Sequence, residues 1–455
     1  MSAWQAIILA AGGGTRMRSE IPKVLHKICG VPLISHVVSS LQAAGLRTPI
    51  VVASPKAKAL YALLGDSVDF VVQETPLGTG HALAIIEGTL GAETKNILVI
   101  NGDCPLVSSE SIRQLMACHE DTKAQMSLMT TKGVDPHGYG RITRDSTGNI
   151  SGIIEESEAN PDQLNIEEVN GGVYAFEVEP LWPLVARLKP SSTGEIYLTD
   201  MVGCVYQAKG TTSAIPVPDP HDTLGVNTRV DLAHAEAIMQ NRIRVQVMND
   251  GVSLIDPSTT YIDAGVRIGA DTVIYPNTHL LGTTTVGEGC EIGPNSVLKN
   301  SLVDSTCKIV SSFVDGTTLE VGVEVGPFSN LRPGSYIGKR THVGNYVEIK
   351  ESVLGNDVKI GHFSYIGDAD IGQKVNIGAG TVTANYDGHS KKRTTIGDNA
   401  FIGSDTMLVA PVYIGKNAAT GAGSVVTKNV AAGETVVGVP AKPKPHQAAM
   451  STKKT

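Results

Sequence analysis

Through most of the second half of the chain an aliphatic residue returns at every sixth position, and this feature constrains the fold more than any other. Ile268, Ile274, Leu280, Val286, Ile292 and Leu298 form one run, and Ile396, Ile402, Leu408, Ile414 and Thr420 form another. Between them Ile360, Ile366, Ile371 and Ile377 keep the spacing with one five-residue slip. Glycine follows many of these positions, as in "IGA", "VGE", "IGP" and "IGH". Such a period predicts a parallel β-helix in which every coil stacks its inward aliphatic side chains on the next. The core of that helix is narrow, which accounts for an aromatic content of only 4% beside 49 glycines. The pattern assigns residues 251–440 to a left-handed parallel β-helix.

Residues 1–229 have a different rhythm. Short β-rich runs, "AIILAA" (6–11), "PIVVAS" (49–54), "FVVQ" (70–73) and "NILVING" (96–102), alternate with apolar residues at helical spacing over 32–44 and 79–90. Strands alternating with helices predict a parallel or mostly parallel sheet covered on both faces, an α/β Rossmann-like domain. In such sheets ligands gather beyond the carboxyl ends of the strands, where "LAAGGGTRM" and "NGDCPL" both fall. Residues 230–250, free of proline and glycine, predict a connecting helix, and the basic, proline-containing stretch 441–455 predicts a disordered tail.

Composition narrows the function. A net charge of −8 argues against a nucleic-acid binder, which needs basic surface against phosphates, but leaves room for a small phosphorylated substrate. No apolar run approaches the 18 residues of a membrane span, so no membrane association is expected. Cys29, Cys104, Cys118, Cys204, Cys290 and Cys307 form no C-x-x-C pair. Free thiols in a cytoplasmic protein are the simpler reading than disulfides or zinc.

The glycine loop at 12–14 matches neither the dinucleotide G-x-G-x-x-G nor the G-K-[ST] of a P-loop. What it offers is a strand, a glycine turn that brings backbone N–H groups close to phosphate oxygens, and then Arg16 and Lys23 as positive charge.

The pattern L-A-A-G-x-G-T-R-M followed by P-K-V-L resembles the signature of the sugar-nucleotide pyrophosphorylases. "QETPLGTGHA" (73–82), "NGDCPL" (101–106), "GYGRI" (138–142), "IIE" (153–155), "EVNGGVY" (168–174), "GEIYLTD" (194–200) and "GVN" (225–227) follow in that family's order. The resemblance implies nucleotidyl transfer from UTP with Mg²⁺ held by Asp103 and Asn227. It gives Leu9, Ala10, Ala11, Gly12, Arg16 and Lys23 to the phosphate end of the nucleotide. Gln73, Gly78 and Thr79 would read uracil and ribose, while Gly140, Glu155 and Asn170 would hold the sugar.

In the β-helix, "LRPGSYIGKRTHVGNYVEIKES" (331–352) and "IGHFSYIGDADIGQKVNIGAGTVTANYDG" (360–388) resemble the acetyltransferase half of the bacterial bifunctional uridyltransferase/acetyltransferases acting on glucosamine 1-phosphate. The resemblance implies acetyl-CoA as donor and His362 as base, an imidazole being suited to proton transfer near neutral pH. Arg332 and Lys350 would grip the sugar phosphate and Tyr365 and Asn376 its hydroxyls. Asn385, Tyr386, Ser404 and Ala422 would meet the acetyl-CoA, and the site would lie between subunits of a homotrimer.

Three positions depart from the family pattern. Gly13 stands where relatives commonly carry lysine, Asn101 where an aromatic is familiar, and an arginine expected near Gly438 is missing, with Lys442 or Lys444 as the nearest substitutes. Two other readings stay open at this point: a sugar-1-phosphate nucleotidyltransferase whose β-helix only oligomerises, and a non-catalytic scaffold. The joint presence of Arg16, Lys23, Asp103 and Asn227 argues against the second, and the cluster around His362 against the first.

Overall fold

The computed structural model describes residues 4–133, 135–191 and 194–444, and these fall into two units, Met1–Met239 and Gln240–Thr455. In the first, β1 (Trp4–Leu9), β2 (Ile50–Ala53), β3 (Asp69–Val72) and β4 (Asn96–Asn101) run parallel in the order β4-β1-β2-β3. β5 (Met126–Thr131) is followed by a hairpin of β6 (Arg141–Arg144) and β7 (Ile150–Ile154). β8 (Val169–Glu177) then lies antiparallel between β4 and β5, and β9 (Thr212–Pro216) closes the edge parallel to β5.

The sheet is therefore mixed. Its antiparallel strand follows from the chain path, because β5 reaches β8 through a hairpin and not through the crossover helix that parallel pairing requires. Its central apolar strands β1, β2, β4 and β5 are buried on both faces, as the sequence pattern predicts, whereas the edge strand β3 is partly exposed. On one face lie α1 (Leu33–Ala43), α2 (Lys58–Leu64) and α4 (Ser109–Thr122), which bury Ile34, Val37, Leu41, Leu60, Ile112 and Leu115. On the other lie α3 (Thr79–Ala84), α5 (Val178–Val185) and α6 (Met201–Gln207), which bury Leu83, Leu181, Leu184, Met201 and Val205. Each such aliphatic side chain contributes roughly 1.5–3 kcal/mol by leaving water.

α7 (Arg229–Asn249) corresponds to the expected connecting helix. Thr228 caps it: its Oγ1 accepts from the Asp231 amide, while the Asp231 carboxylate accepts from the Asn227 and Thr228 amides at 2.9 and 2.8 Å.

The second unit is a left-handed parallel β-helix of hexapeptide repeats. Its three walls contain 12, 10 and 9 described strands, most of only two residues. The sixfold aliphatic ladder forms the core: Ile274 pairs with Ile292, Leu280 with Leu298, and Ile360 with Ile377. Every residue named in that ladder is buried except Ile268, which packs partly exposed against it. Buried hydroxyls line the corners and many donate to backbone carbonyls, as in Ser301 Oγ to Lys299 O and Ser352 Oγ to Lys350 O, both 2.8 Å, whereas Ser335 Oγ and Thr394 Oγ1 have no partner among the described residues. The stretch 385–392 interrupts the coils and lengthens the step from Ile377 to Ile402. All six cysteines are free. Of the expected tail, residues 445–455 lie outside the described residues.

Candidate active sites

The loop expected to meet the phosphates begins where β1 stops at Leu9. Ala10 continues the ladder by donating its amide to Val52 O at 2.8 Å, and Ala11, Gly12 and Gly13 follow in the open. Gly14 has a left-handed backbone with φ 60°, and a Cβ there would stand 2.7 Å from Lys23 Cβ. Glycine at this position lets the loop lie on the Lys23 segment. The following turn, Thr15–Met17, buries Met17 and leaves Arg16 outward.

Lys23 lies between the two expected metal ligands. Its ammonium donates to Asp103 Oδ2 and, at 3.0 Å, to Asn227 Oδ1, which also accepts from Arg16 Nη2 at 2.9 Å. Asp103 follows β4, and its carbonyl accepts from the Val226 amide at 2.9 Å, tying the 226–227 turn to the strand end. One carboxylate and one amide oxygen thus reach a common cationic centre. Such hard oxygen donors suit Mg²⁺, whose other positions are usually filled by substrate phosphate and water. Among the described residues no group of three His, Cys, Asp or Glu side chains converges on a metal position.

Gln73, expected at the base, is only 4% exposed. Its Nε2 lies 3.1 Å from Gly78 O and 2.8 Å from His81 Nδ1. Gly78 has φ 107°, and a Cβ would meet Ile196 O at 2.5 Å, so no side chain fits. The loop is strapped to 196–198: Ile196 N donates to Leu77 O, Gly80 N to Ile196 O, and Leu198 N to Thr79 Oγ1 at 2.9 Å.

Among the residues expected to hold the sugar, Gly140 O accepts from the Asn170 amide at 2.9 Å. The Asn170 side chain donates to Tyr174 Oη at 2.7 Å and accepts from the Gly172 amide, within a register shift of β8 against β5. Glu155 accepts from Thr199 Oγ1 at 3.0 Å. Burial pushes its carboxyl above the usual range, with the Asp200 charge adding to the shift and the Thr199 hydrogen bond opposing it. His81 and Thr199 were legible only as letters inside the quoted motifs, because their roles depend on contacts that spacing does not give.

On the β-helix, Arg332, Lys350 and Tyr365 follow one another on the 10-stranded wall, where Glu348 pairs with Tyr365. Arg332 Nη1 donates to Glu348 Oε1 at 2.8 Å, and Lys350 Nζ lies 3.9 Å from Asp368 Oδ2. Asn385 joins this group, donating to Asp368 and, at 3.4 Å, to Tyr365 Oη. Lys391, which the sequence reading missed, is bridged to Tyr386, and the neighbouring Lys350 ammonium draws its pKa below the usual lysine range. Two adjacent ammonium groups beside Arg332 make a site for an anion.

His362 lies at the corner beside this wall. Its Nδ1 donates to Asn345 Oδ1 at 2.9 Å, which leaves Nε2 as the basic nitrogen. The same corner continues through successive coils: Gly380 N donates to Phe363 O, Asp405 N to Ala379 O and Gly423 N to Ser404 O. Ser404 and Ala422 therefore lie in line with His362. Asn376 is on the 12-stranded wall, paired with Lys359 and Phe401, and so on a different face from Lys350 and Tyr365.

A nucleotidyltransferase fold followed by a hexapeptide-repeat transferase fold defines a two-part transferase. Residues 6–160 match the MobA-like NTP transferase domain, and residues 265–300 and 393–428 match the bacterial transferase hexapeptide (six repeats). Over 426 residues the chain is 42% identical to the bifunctional protein GlmU of Exiguobacterium sp. (strain ATCC BAA-1283 / AT1b), covering 93% of this chain and 94% of that one. The bifunctional protein GlmU of Heliobacterium modesticaldum is 43% identical over 95% of this chain and 94% of its own, and that of Streptococcus agalactiae serotype III 42% identical over 93% of each. The chain belongs to the bifunctional GlmU family.

Proposed function

We propose that the chain acetylates glucosamine 1-phosphate with acetyl-CoA and then transfers UMP from UTP to the product, giving UDP-N-acetylglucosamine and pyrophosphate for cell-wall precursor synthesis in the cytoplasm. The observation that carries this reading is the meeting of Lys23, Arg16, Asp103 and Asn227 in one unit, with the Arg332, Lys350, Tyr365 and His362 set on the other.

In the uridylyl transfer, an oxygen of the sugar phosphate forms a bond to the α-phosphorus and the bond to the β-phosphate oxygen breaks, releasing pyrophosphate. Positioning and charge neutralisation govern the rate of such transfers. Arg16 and Lys23 grip the phosphates, and the loop amides from Leu9 to Gly12 approach them. Asp103 and Asn227 would hold Mg²⁺, which supplies charge neutralisation at the α-phosphate. Gln73, Gly78 and Thr79 receive the base and ribose, and Gly140, Glu155 and Asn170 the sugar.

In the acetyl transfer, the amine nitrogen attacks the thioester carbon, the C–S bond breaks and the CoA sulfur leaves. His362 Nε2 takes the amine proton, with Asn345 holding the ring. Arg332, Lys350 and Lys391 hold the sugar phosphate. Asn385 and Tyr386 meet the acetyl-CoA, together with the corner past Ser404 and Ala422. Asn376 lies on the 12-stranded wall, which also ends in His362, and not on the wall of Lys350 and Tyr365; a homotrimer with shared sites would let a neighbouring chain bring that wall to the ligand.

The test is to supply glucosamine 1-phosphate, acetyl-CoA, UTP and Mg²⁺ and to follow free thiol and pyrophosphate separately. The reading requires both products, with pyrophosphate release dependent on prior acetylation. Thiol release without pyrophosphate, or the reverse, would remove one of the two reactions.

A further inference from the structure

Gln73 is buried, yet among the described residues half of its amide has no partner. Both N–H bonds of Nε2 are committed. Gly78 O, 3.1 Å away, can only accept, so the NH₂ and not the carbonyl of Gln73 must face it. The second N–H points at His81 Nδ1, 2.8 Å away, which accepts and therefore leaves the imidazole proton on Nε2. Turning the amide over would set Oε1 against the Gly78 carbonyl oxygen, and His81 with its proton on Nε2 holds the second N–H in the same sense. What remains is Oε1, a fixed acceptor beside the loop assigned to the base.

We propose that His81 is a positioning residue that locks the Gln73 amide so that only its oxygen faces the base, selecting pyrimidines with a ring N–H over those without one. Uracil carries a hydrogen on N3; the corresponding nitrogen of cytosine is an acceptor and would be repelled by Oε1. His81 need not touch the nucleotide, because its effect passes through Gln73. The inference rests on the uridylyl-transfer reading and adds to it a reason for the choice of base.

The experiment compares kcat/KM for UTP and for CTP in the full-length chain with N-acetylglucosamine 1-phosphate, first in the unaltered protein and then in His81→Leu and His81→Asn. Asparagine places Oδ1 where the Nδ1 acceptor stood, whereas leucine removes it. His81→Leu is expected to lower the UTP-to-CTP ratio about tenfold or more, and His81→Asn to keep it within about threefold. A ratio unchanged in His81→Leu overturns the proposal. If His81→Leu does not fold, His81→Asn decides alone: a collapsed ratio in this variant overturns the proposal, and a retained ratio supports it. Failure of the unaltered protein to use UTP at all would instead contradict the uridylyl-transfer reading, and it is seen before any variant is measured.

Discussion

The ammonium of Lys23 donates to Asn227 Oδ1 at 3.0 Å across 204 residues of chain, and the same ammonium is paired with Asp103. Three separate stretches, the turn after the glycine loop, the end of β4 and the head of α7, therefore share one electrostatic centre. Lys23 and Asp103 are both mostly shielded from water, with 16% and 14% of their side chains exposed. Removing either partner leaves a shielded charge without compensation.

Lys23→Met and Asp103→Asn are each expected to lower uridylyl transfer by about 100-fold or more, on the scale of losing one preorganised charge at a transition state. Acetyl transfer should stay within about twofold. Separate initial-rate assays for pyrophosphate and thiol release check both halves of this expectation.

Asn345 Oδ1 accepts from His362 Nδ1 at 2.9 Å, and on the proposed reading it orients that base. Asn345→Leu should therefore lower kcat for acetyl transfer by about tenfold with little change in KM for acetyl-CoA, against a loss of roughly 10²–10⁴-fold for His362→Ala. Equal losses in the two variants would mean that Asn345 does more than hold the ring.

Asn376 and Lys350 stand on different walls of the β-helix. If one acetyl-transfer site draws on two chains, Asn376→Ala and Lys350→Ala chains, each inactive alone, should complement when assembled together. Random mixing in equal amounts should restore about a quarter of the sites. Absence of any recovery in a verified mixed assembly would place the whole site on one chain.

His119 is buried on α4 against Trp4, ring centroids 5.4 Å apart, with Ser127 Oγ at 2.9 Å from its Nδ1. Burial pulls its pKa down to about 4, whereas the unfolded chain carries an ordinary histidine near 6.5. The unfolded state therefore binds more protons between these values, and stability falls as the pH drops through that window. Between pH 7.5 and 5 this site should cost about 2 kcal/mol, and His119→Asn should flatten that part of the profile. Urea melts of the first unit at the two pH values measure the difference.

The β-helix was nearly complete in the sequence because its fold is one residue class at one period. Ile274, Ile292 and their successors each have a neighbour set by the repeat alone. The first unit was legible in its strands and in the residues of its glycine loop, but not in the antiparallel insertion of β8, since the pairing of Val173 with Ile100 depends on chain path and not on local pattern. Site membership followed a similar divide. Arg16, Lys23, Asp103 and Asn227 could be named from motifs, while His81, Thr199, Asn345 and Lys391 act through contacts made only in three dimensions. The separation of Asn376 from Lys350 also required the wall assignment that coil length determines.

The central claim, two independent chemistries in one chain, is tested most directly by the pair His362→Ala and Asp103→Ala. Thiol release from acetyl-CoA and pyrophosphate release from UTP with added N-acetylglucosamine 1-phosphate are measured in each folded variant. His362→Ala should lose thiol release and keep pyrophosphate release, and Asp103→Ala should do the reverse. Loss of both activities in both variants would contradict the two-site account.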